Sequence, residues 1–311
     1  MRAIGYHRAM LKTALIIIAL LLTVAGIWFY RLGGPAQLEL ADRWWPGKAD
    51  AIGSAVLGTH YSETASSQQS YDIYYPVGAG KECGDRKFPS LLFFHGGSWR
   101  DGDRSSYAFV GRAFAARGFI TFIADYRKAP GHRFPDFVDD AAQAIAGANR
   151  ELNQSTCGDP DRLFVMGHSA GAHIAMLAAL DPKWLRRHGL DASAIAGIIG
   201  LAGPYDFLPF TSDAARDALG HWPKPEETQP IHFANGKAPP LLLLTGDADT
   251  TVKPRNSKAL AKKVNEDTGK AELRLYPEVT HSGIIMAIAR PFRSKAPVID
   301  DVLAFTRQQA K

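Results

Sequence analysis

The segment RLFVMGHSAGAHIAMLAAL, residues 162–180, constrains the fold more than any other stretch of the chain. A short apolar run, residues 163–166, has the length of a buried strand, and an alanine-rich stretch with apolar residues at helical spacing follows the glycines. Gly167 and Gly171 allow a turn so sharp that Ser169 stands at its apex in a strained backbone conformation. Strand, turn and helix in this order form the nucleophile elbow of the pattern G-x-S-x-G. The segment therefore predicts that Ser169 is a nucleophile.

Apolar runs alternate with helical spacing through most of the remaining chain. Strands are expected at 71–77, 91–94, 120–124, 195–201, 241–244 and 272–276, and helices at 107–117, 137–152, 254–264 and 297–309. This alternation predicts an α/β fold with a doubly wound, mostly parallel sheet over residues 59–311. Residues 207–238 break the rhythm, and we expect a lid-like insertion that forms a wall of the substrate pocket.

The N-terminus has the character of a membrane segment. Residues 13–30, TALIIIALLLTVAGIWFY, carry no charge and as a helix span about 27 Å, roughly the hydrocarbon core of a bilayer. Arg2, Arg8 and Lys12 precede them, so the bulk of the chain is expected outside the cytoplasm, on the periplasmic or extracellular face. We expect residues 1–30 to be an uncleaved transmembrane anchor and residues 31–58 a linker. The alternative is a cleaved signal peptide, which would make the domain a secreted protein.

Charge and cysteine content exclude some classes of partner. The net charge of +5 is spread along the chain without an arginine-rich block, so no nucleic-acid partner is expected. No pair of histidine or cysteine residues has the spacing of metal ligands, so no metal site is predicted. The oligomeric state is left open.

A nucleophilic serine needs a base within hydrogen-bonding reach and an acid that orients the base. Asp249 follows the strand expected at 241–244, and His281 follows the strand expected at 272–276. Both therefore lie at carboxyl ends of strands, where ligand sites of open α/β sheets are found. The order serine, aspartate, histidine is the one expected for this architecture, with Asp247 and Asp206 as alternatives for the acid.

A glycine pair supplies a candidate oxyanion hole. The sequence HGGSW, residues 95–99, follows a buried strand, and its bare backbone can approach a substrate closely. We expect the N–H groups of Gly97 and Ser98 to meet that of Ala170, the residue after the nucleophile. An ordinary turn is the alternative. Trp99 and His168 are expected to lie at the substrate pocket.

Together the motifs HGGSW (95–99), DYR (125–127), GHSAG (167–171), GDADTTV (246–252) and TH (280–281) resemble those of the α/β-hydrolase fold. Within it, the chain resembles the hormone-sensitive-lipase-like and feruloyl-esterase-like carboxylesterases, and its HGG-x-W segment is similar to that of kynurenine formamidase. The resemblance covers roughly residues 59–311. It implies Ser169 as nucleophile, His281 as base and Asp249 as acid, with no cofactor. Ser98 departs from the pattern, since many of these lipases carry a third glycine there.

The resemblance also bears on the two cysteines. In the sheet order that it implies, the strands opening near Pro89 and Arg162 are parallel neighbours. Cys83 and Cys157 precede these strands by a few residues, so both fall at the same edge of the sheet. The resemblance therefore implies a Cys83–Cys157 disulfide, as suits an exported protein, and two unrelated thiols are the alternative.

We also expect Asp125 and Arg127, from the DYR motif, to form a structural ion pair near the site.

These features predict a serine carboxylesterase that acts on small to medium esters through an acyl-enzyme. An amide or formamide hydrolase would use the same residues and is the first alternative. A non-catalytic, hydrolase-like binding module at the membrane is the alternative from another class.

Overall fold

An eight-stranded sheet organises the computed structural model, which describes residues 15–309 except 22, 25, 28, 63–65 and 80–82. The strands are β1 (Ser54–His60), β2 (Ser70–Tyr75), β3 (Phe88–Phe94), β4 (Ile120–Ala124), β5 (Gly158–His168), β6 (Gly197–Leu201), β7 (Leu241–Gly246) and β8 (Ala271–Tyr276). Their spatial order is β1-β2-β4-β3-β5-β6-β7-β8. Only β2 pairs in antiparallel fashion, with β1 and β4, while the other neighbours run parallel. The predicted mostly parallel α/β sheet is confirmed.

Helices cover both faces of the sheet. They are α1 (Gly34–Trp44), α2 (Ala108–Ala115), α3 (Asp136–Gln154), α4 (Ala170–Leu180), α5 (Pro182–Arg187), α6 (Asp213–Leu219), α7 (Arg255–Glu266), α8 (His281–Met286) and α9 (Val298–Gln308). Helices α3, α4 and α7 pack into the core on one face, and α2, α8 and α9 into the core on the other. Because apolar layers lie on both faces, the central strands are continuous apolar runs: β3, β4, β6 and β7 are buried almost throughout.

The first helix and strand lie where a linker was predicted. Helix α1 is tied to the domain through Asp42, which is 1% exposed, accepts a hydrogen bond of 2.7 Å from the Arg112 guanidinium and accepts another of 2.7 Å from the Arg290 backbone N–H. Strand β1 pairs with β2 at the edge of the sheet. Most of residues 31–58 therefore belong to the folded domain. The sequence did not predict this, because their partners lie far along the chain and leave no local pattern.

The described residues between 15 and 31 have helical backbone and expose their apolar side chains. Of the predicted anchor, residues 1–14, Leu22, Ala25 and Trp28 lie outside the described residues. In the described part of the chain, none of the helices combines the length and the apolar character needed to cross a bilayer.

A disulfide joins Cys83 and Cys157, whose Cα atoms are 5.7 Å apart. Strands β3 and β5 are parallel neighbours, so both cysteines lie at the amino-terminal edge of the sheet, as the resemblance implied. The Cys157 carbonyl also accepts a hydrogen bond of 2.8 Å from the Phe88 N–H at the start of β3. Because the bond closes a long loop, it stabilises the fold by about 2–4 kcal/mol through the entropy of the unfolded chain.

Candidate active site

Ser169 stands alone between the last residue of β5 and the first residue of α4, at φ 55° and ψ −122°. This left-handed conformation is costly for a residue with a side chain and persists only where the surroundings enforce it. The two glycines of the motif let the turn close. A Cβ atom at Gly167 would lie 2.5 Å from the backbone of Gly171, and one at Gly171 would overlap the carbonyl of Phe94. The elbow therefore needs glycine at both positions, and it holds the Ser169 side chain in a fixed position.

The structure brings Ser169, His281 and Asp249 into one hydrogen-bonded chain. The distance from Ser169 Oγ to His281 Nε2 is 2.9 Å, and that from His281 Nδ1 to Asp249 Oδ2 is 2.8 Å. Since the carboxylate accepts from Nδ1–H, Nε2 is left to accept the serine proton. The arrangement can deprotonate the serine during attack on a carbonyl carbon.

Backbone groups hold the acid in place. Asp249 has a fully buried side chain, and its Oδ1 atom accepts hydrogen bonds from the N–H groups of Thr251 and Val252, at 2.9 and 2.8 Å. The alternative acid Asp247 is exposed and accepts from the Glu278 N–H at 2.7 Å. In the described residues, neither Asp247 nor Asp206 forms a hydrogen bond or an ion pair with His281.

The glycine pair after β3 lies against the elbow. A Cβ atom at Gly96 would come within 3.2 Å of Ser169 Cβ. Gly97 has φ 131°, and a Cβ atom there would overlap the Asp101 carbonyl, while Ser98 has φ 54°. The loop is thus forced into close contact with the nucleophile.

Three backbone N–H groups near Ser169 have no hydrogen-bond acceptor in the described chain. Within the described chain, the N–H groups of Gly97, Ser98 and Ala170 donate to no other group. Ala170 also begins helix α4, so its N–H lies at the positive end of the helix dipole. Such free donors beside a nucleophile suit the stabilisation of an oxyanion.

A cavity of about 340 Å³ lies beside Ser169. The lining side chains from the insertion are those of Phe207, Pro209, Thr211, Ser212, Ala214 and Ala215. Residues 207–238 therefore supply one wall, and they contain helix α6 together with two short 3-10 turns. Trp99 lines the same cavity and stacks on Phe207, with ring centroids 6.0 Å apart.

His173 links the parts of this wall, a role that the sequence analysis did not identify. Its Nδ1 atom accepts a hydrogen bond of 3.1 Å from the indole N–H of Trp99, and Nε2–H donates at 2.7 Å to the carbonyl of Thr228. Burial lowers the pKa of His173 to about 4, which keeps the ring neutral and able to both donate and accept. The elbow helix, the glycine loop and the insertion are thus joined through one side chain. A histidine one turn after the nucleophile was the only sequence signal.

His168 does not line the cavity beside Ser169, contrary to the prediction. Its Nε2–H donates to the backbone carbonyl of His281 at 3.2 Å, and its ring borders a second, mostly apolar cavity of about 380 Å³ beneath helix α1. Consecutive residues at the end of a strand point to opposite faces, so His168 and Ser169 cannot both face the substrate. Burial lowers the pKa of His168 to about 3, and the nearby His281 adds to this effect. His168 therefore supports the backbone of the base.

The expected Asp125–Arg127 pair is not formed. Asp125 instead accepts from His95 Nε2 at 3.0 Å and from Arg104 Nη1 at 2.8 Å, while Arg127 pairs with Asp140 at 2.7 Å. Burial by itself raises the pKa of Asp125, but the hydrogen bond from His95 and the neighbouring cations lower it below its ordinary value. The hydrogen bond from His95, the first residue of the HGGSW segment, ties the start of the glycine loop to Asp125.

The two buried neutral histidines predict a pH-dependent stability. The pKa values of His173 and His168 are lowered to about 4 and about 3 in the folded chain. In the unfolded chain, both histidines take up protons already below about pH 6.5. The free energy of unfolding is therefore highest above pH 6.5. It should fall on acidification by up to about 1.4 kcal/mol per pH unit for each histidine. Urea unfolding at pH 7.5, 6.5 and 5.5 measures this slope.

A matched pair of variants assigns the slope. His173→Gln should reduce it, whereas replacement of the exposed His232 by glutamine should leave it unchanged. A free energy of unfolding that stays constant between pH 6.5 and 5.5 would contradict the prediction.

In the described residues, no cluster of three or more histidine, cysteine, aspartate or glutamate side chains is placed to hold a metal ion.

Comparison with known proteins finds relatives that are named as esterases. The sequence profile of the BD-FAE family matches residues 71–264, more than half of the chain. The chain is 28% identical over 255 residues to isoprenylcysteine alpha-carbonyl methylesterase ICME of Arabidopsis thaliana, covering 75% of this chain and 58% of that protein. It is 30% identical over 204 residues to esterase LipC of Mycobacterium tuberculosis, covering 59% and 50%. The chain thus spans only about half to three fifths of the length of these curated relatives.

Solved structures share the fold. Esterase B from Lactobacillus rhamnosis superimposes with a TM-score of 0.72 at 19% identity, over 94% of both chains. A truncated carbohydrate esterase from gut microbiota gives a TM-score of 0.69 at 18% identity, over 85% of this chain and 98% of the other. With the strand order and the elbow described above, these findings establish that the chain has the α/β-hydrolase fold and belongs to the BD-FAE family.

Proposed function

We propose that the protein is a serine carboxylesterase that hydrolyses small to medium carboxylic esters through an acyl-enzyme. One observation carries the proposal: Ser169 Oγ, His281 and Asp249 form a continuous hydrogen-bonded chain, at 2.9 and 2.8 Å, with the serine at the apex of a strained elbow. The cavity next to this serine can accept a substrate, and the free N–H groups can stabilise the negative carbonyl oxygen formed by its attack.

The proposed reaction has two halves. His281 Nε2 takes the proton of Ser169 as Oγ attacks the ester carbonyl, and the buried Asp249 carboxylate stabilises the imidazolium that results. The negative carbonyl oxygen is held by the N–H groups of Gly97, Ser98 and Ala170. Each such donor is worth about 2.7–4 kcal/mol in comparable sites. His281 then protonates the leaving alcohol, and a water molecule repeats the steps to release the acid. These steps require no cofactor.

Esters are favoured over amides because the relatives named above are esterases or methylesterases. The same three residues would serve an amide or formamide hydrolase. Hydrolysis of p-nitrophenyl esters compared with formyl anilides separates the two. A non-catalytic binding module is disfavoured, since such a protein has no need of an assembled triad with unoccupied backbone donors beside it.

We further propose that the domain acts outside the cytoplasm, either anchored through its N-terminal segment or secreted after cleavage. The disulfide between Cys83 and Cys157 supports this location, because such bonds persist in oxidising compartments.

A fluorophosphonate probe tests the proposed function directly. Such a probe reacts with serines that are activated as nucleophiles, so peptide mapping of the labelled full-length protein should find the adduct on Ser169. The Ser169→Ala variant should take up no probe, and His281→Ala should react much more slowly. Folded wild-type protein that takes up no probe would refute the proposal.

A further inference from the structure

Two cations form part of the wall beside the nucleophile. Lys253, in the loop after β7, and Arg255, the first residue of α7, both line the cavity at Ser169, and both are exposed. In the described residues, neither side chain forms an ion pair or a hydrogen bond with a carboxylate. No aspartate or glutamate lines the cavity. The wall therefore carries two positive charges that form no ion pair within the described chain.

Two arginines near the site are, by contrast, paired with carboxylates. Arg104 is paired with Asp72 and Asp125, and Arg127 is paired with Asp140, all at 2.7–2.8 Å. The charges of these arginines are neutralised by their carboxylate partners. The charges of Lys253 and Arg255 remain available to a molecule in the cavity.

The segment that carries the two cations is firmly positioned. Asp249 fixes its beginning through the N–H groups of Thr251 and Val252. The buried Asn256 fixes its end, because Nδ2–H donates to the Lys253 carbonyl at 3.2 Å and Oδ1 accepts from the Tyr205 N–H at 2.9 Å. The backbone of both cations is thus held in a fixed position relative to Asp249.

The local field adds to the two side-chain charges. Helix α7 is 12 residues long, begins at Arg255 and has no acidic residue in its first turn, so the positive end of its dipole is not neutralised there. Asp206 lies on the facing loop, where its N–H donates to Asn256 at 2.9 Å, but its side chain does not line the cavity. An anionic group in this part of the cavity would meet cations without a competing carboxylate.

Building on the proposed function, we propose that the substrate is an ester that carries an anionic group, and that Lys253 and Arg255 bind this group while the ester carbonyl lies at Ser169. A guanidinium and an ammonium together suit a carboxylate, sulfate or phosphate, which they bind through charge-assisted hydrogen bonds. Trp99 and Phe207 would contact the apolar remainder of the substrate. The two cations are thus residues that determine specificity, and they take no part in bond cleavage.

Matched pairs of esters test the proposal with the full-length protein. On the acyl side, mono-p-nitrophenyl adipate is compared with p-nitrophenyl hexanoate, and on the alcohol side, 4-acetoxybenzoate with 4-acetoxybenzamide. At low ionic strength, the anionic member of at least one pair should have a kcat/KM about tenfold higher, as expected for hydrogen bonds to a charged group. The pair that responds identifies the side of the ester that bears the charge. The preference should weaken with added NaCl.

Substitutions then assign the preference to the two residues. The double variant Lys253→Gln/Arg255→Gln should bring the ratio of kcat/KM values to about one, mainly through a higher KM for the anionic ester. The control Lys262→Gln/Lys263→Gln removes two charges from the same helix outside the cavity and should leave the ratio unchanged. If the double variant does not fold, each single variant should still lower the ratio, and fluorophosphonate labelling of Ser169 shows that the site is assembled.

The outcomes separate this inference from the proposed function. Hydrolysis of the neutral esters at least as fast as the anionic ones in both pairs would overturn the anionic substrate and leave the esterase intact. An anionic preference that survives the double variant would overturn the role of Lys253 and Arg255. Failure to hydrolyse any of the four esters, together with no labelling of Ser169, would overturn the proposed function itself.

Discussion

The Ser169→Ala variant is expected to lose ester hydrolysis almost completely, with kcat lowered by about 10⁶-fold, as for the loss of the nucleophile in other serine hydrolases. The reason is that the carbonyl carbon then has no nucleophile at the end of the hydrogen-bonded chain from Asp249 through His281. Any residual rate would come from the backbone donors and from substrate binding. Initial rates with p-nitrophenyl butyrate measure the effect, and thermal melting should show an unchanged fold, because alanine occupies the elbow with the same backbone strain.

Activity of the Ser169→Ala variant within tenfold of wild type would contradict the assignment of the nucleophile. Traces of a contaminating esterase are recognised because they would still react with the fluorophosphonate probe at a peptide other than the one that contains residue 169.

The second large effect is expected for Asp249→Asn, with kcat lowered by about 10⁴-fold in an otherwise intact structure. The amide oxygen can keep the hydrogen bonds from Thr251 and Val252, so the loop should stay folded. The amide nitrogen, however, presents a donor to His281 Nδ1, which must then accept. The proton of the neutral ring moves to Nε2, and the base can no longer accept the proton of Ser169. Steady-state kcat at neutral pH measures the loss.

Asp247→Asn is the matched control, since it changes the same functional group two residues away. Within the part of the chain that the structure describes, the Asp247 side chain accepts a hydrogen bond only from the Glu278 N–H, and an asparagine oxygen can do the same. Its kcat should remain near that of wild type. A large loss in Asp247→Asn together with a small loss in Asp249→Asn would show that the acid has been assigned to the wrong residue.

The central strands and the relative positions of the three triad residues were predictable because their signals are local. An apolar run followed by Gly-x-Ser-x-Gly and an alanine-rich stretch can hardly fold otherwise than as strand, tight turn and helix. Asp249 and His281 each come directly after a strand, and parallel strands bring such residues to one edge of the sheet. The disulfide followed from the same logic at the opposite edge, once the resemblance supplied the strand order.

Features that depend on distant partners were not predictable. The role of Asp42 in docking helix α1 depends on Arg112 and Arg290, far along the chain. The sequence of residues 31–58 alone therefore predicted a linker. Asp125 and Arg127 are two residues apart in sequence but pair with different partners, Arg104 and Asp140. For the same reason, the placement of Lys253 and Arg255 at the cavity becomes evident only in the folded chain.

The hydrogen bonds of His173 limit how the insertion can change during evolution or engineering. The histidine donates to a backbone carbonyl at Thr228 and accepts from the indole of Trp99, so a segment transplanted from a relative must present a carbonyl at the same point. Otherwise a buried imidazole N–H is left unsatisfied next to the nucleophile helix. Residues 207–238 therefore do not behave as an interchangeable module: a new specificity segment has to be selected together with the residues at positions 99 and 173.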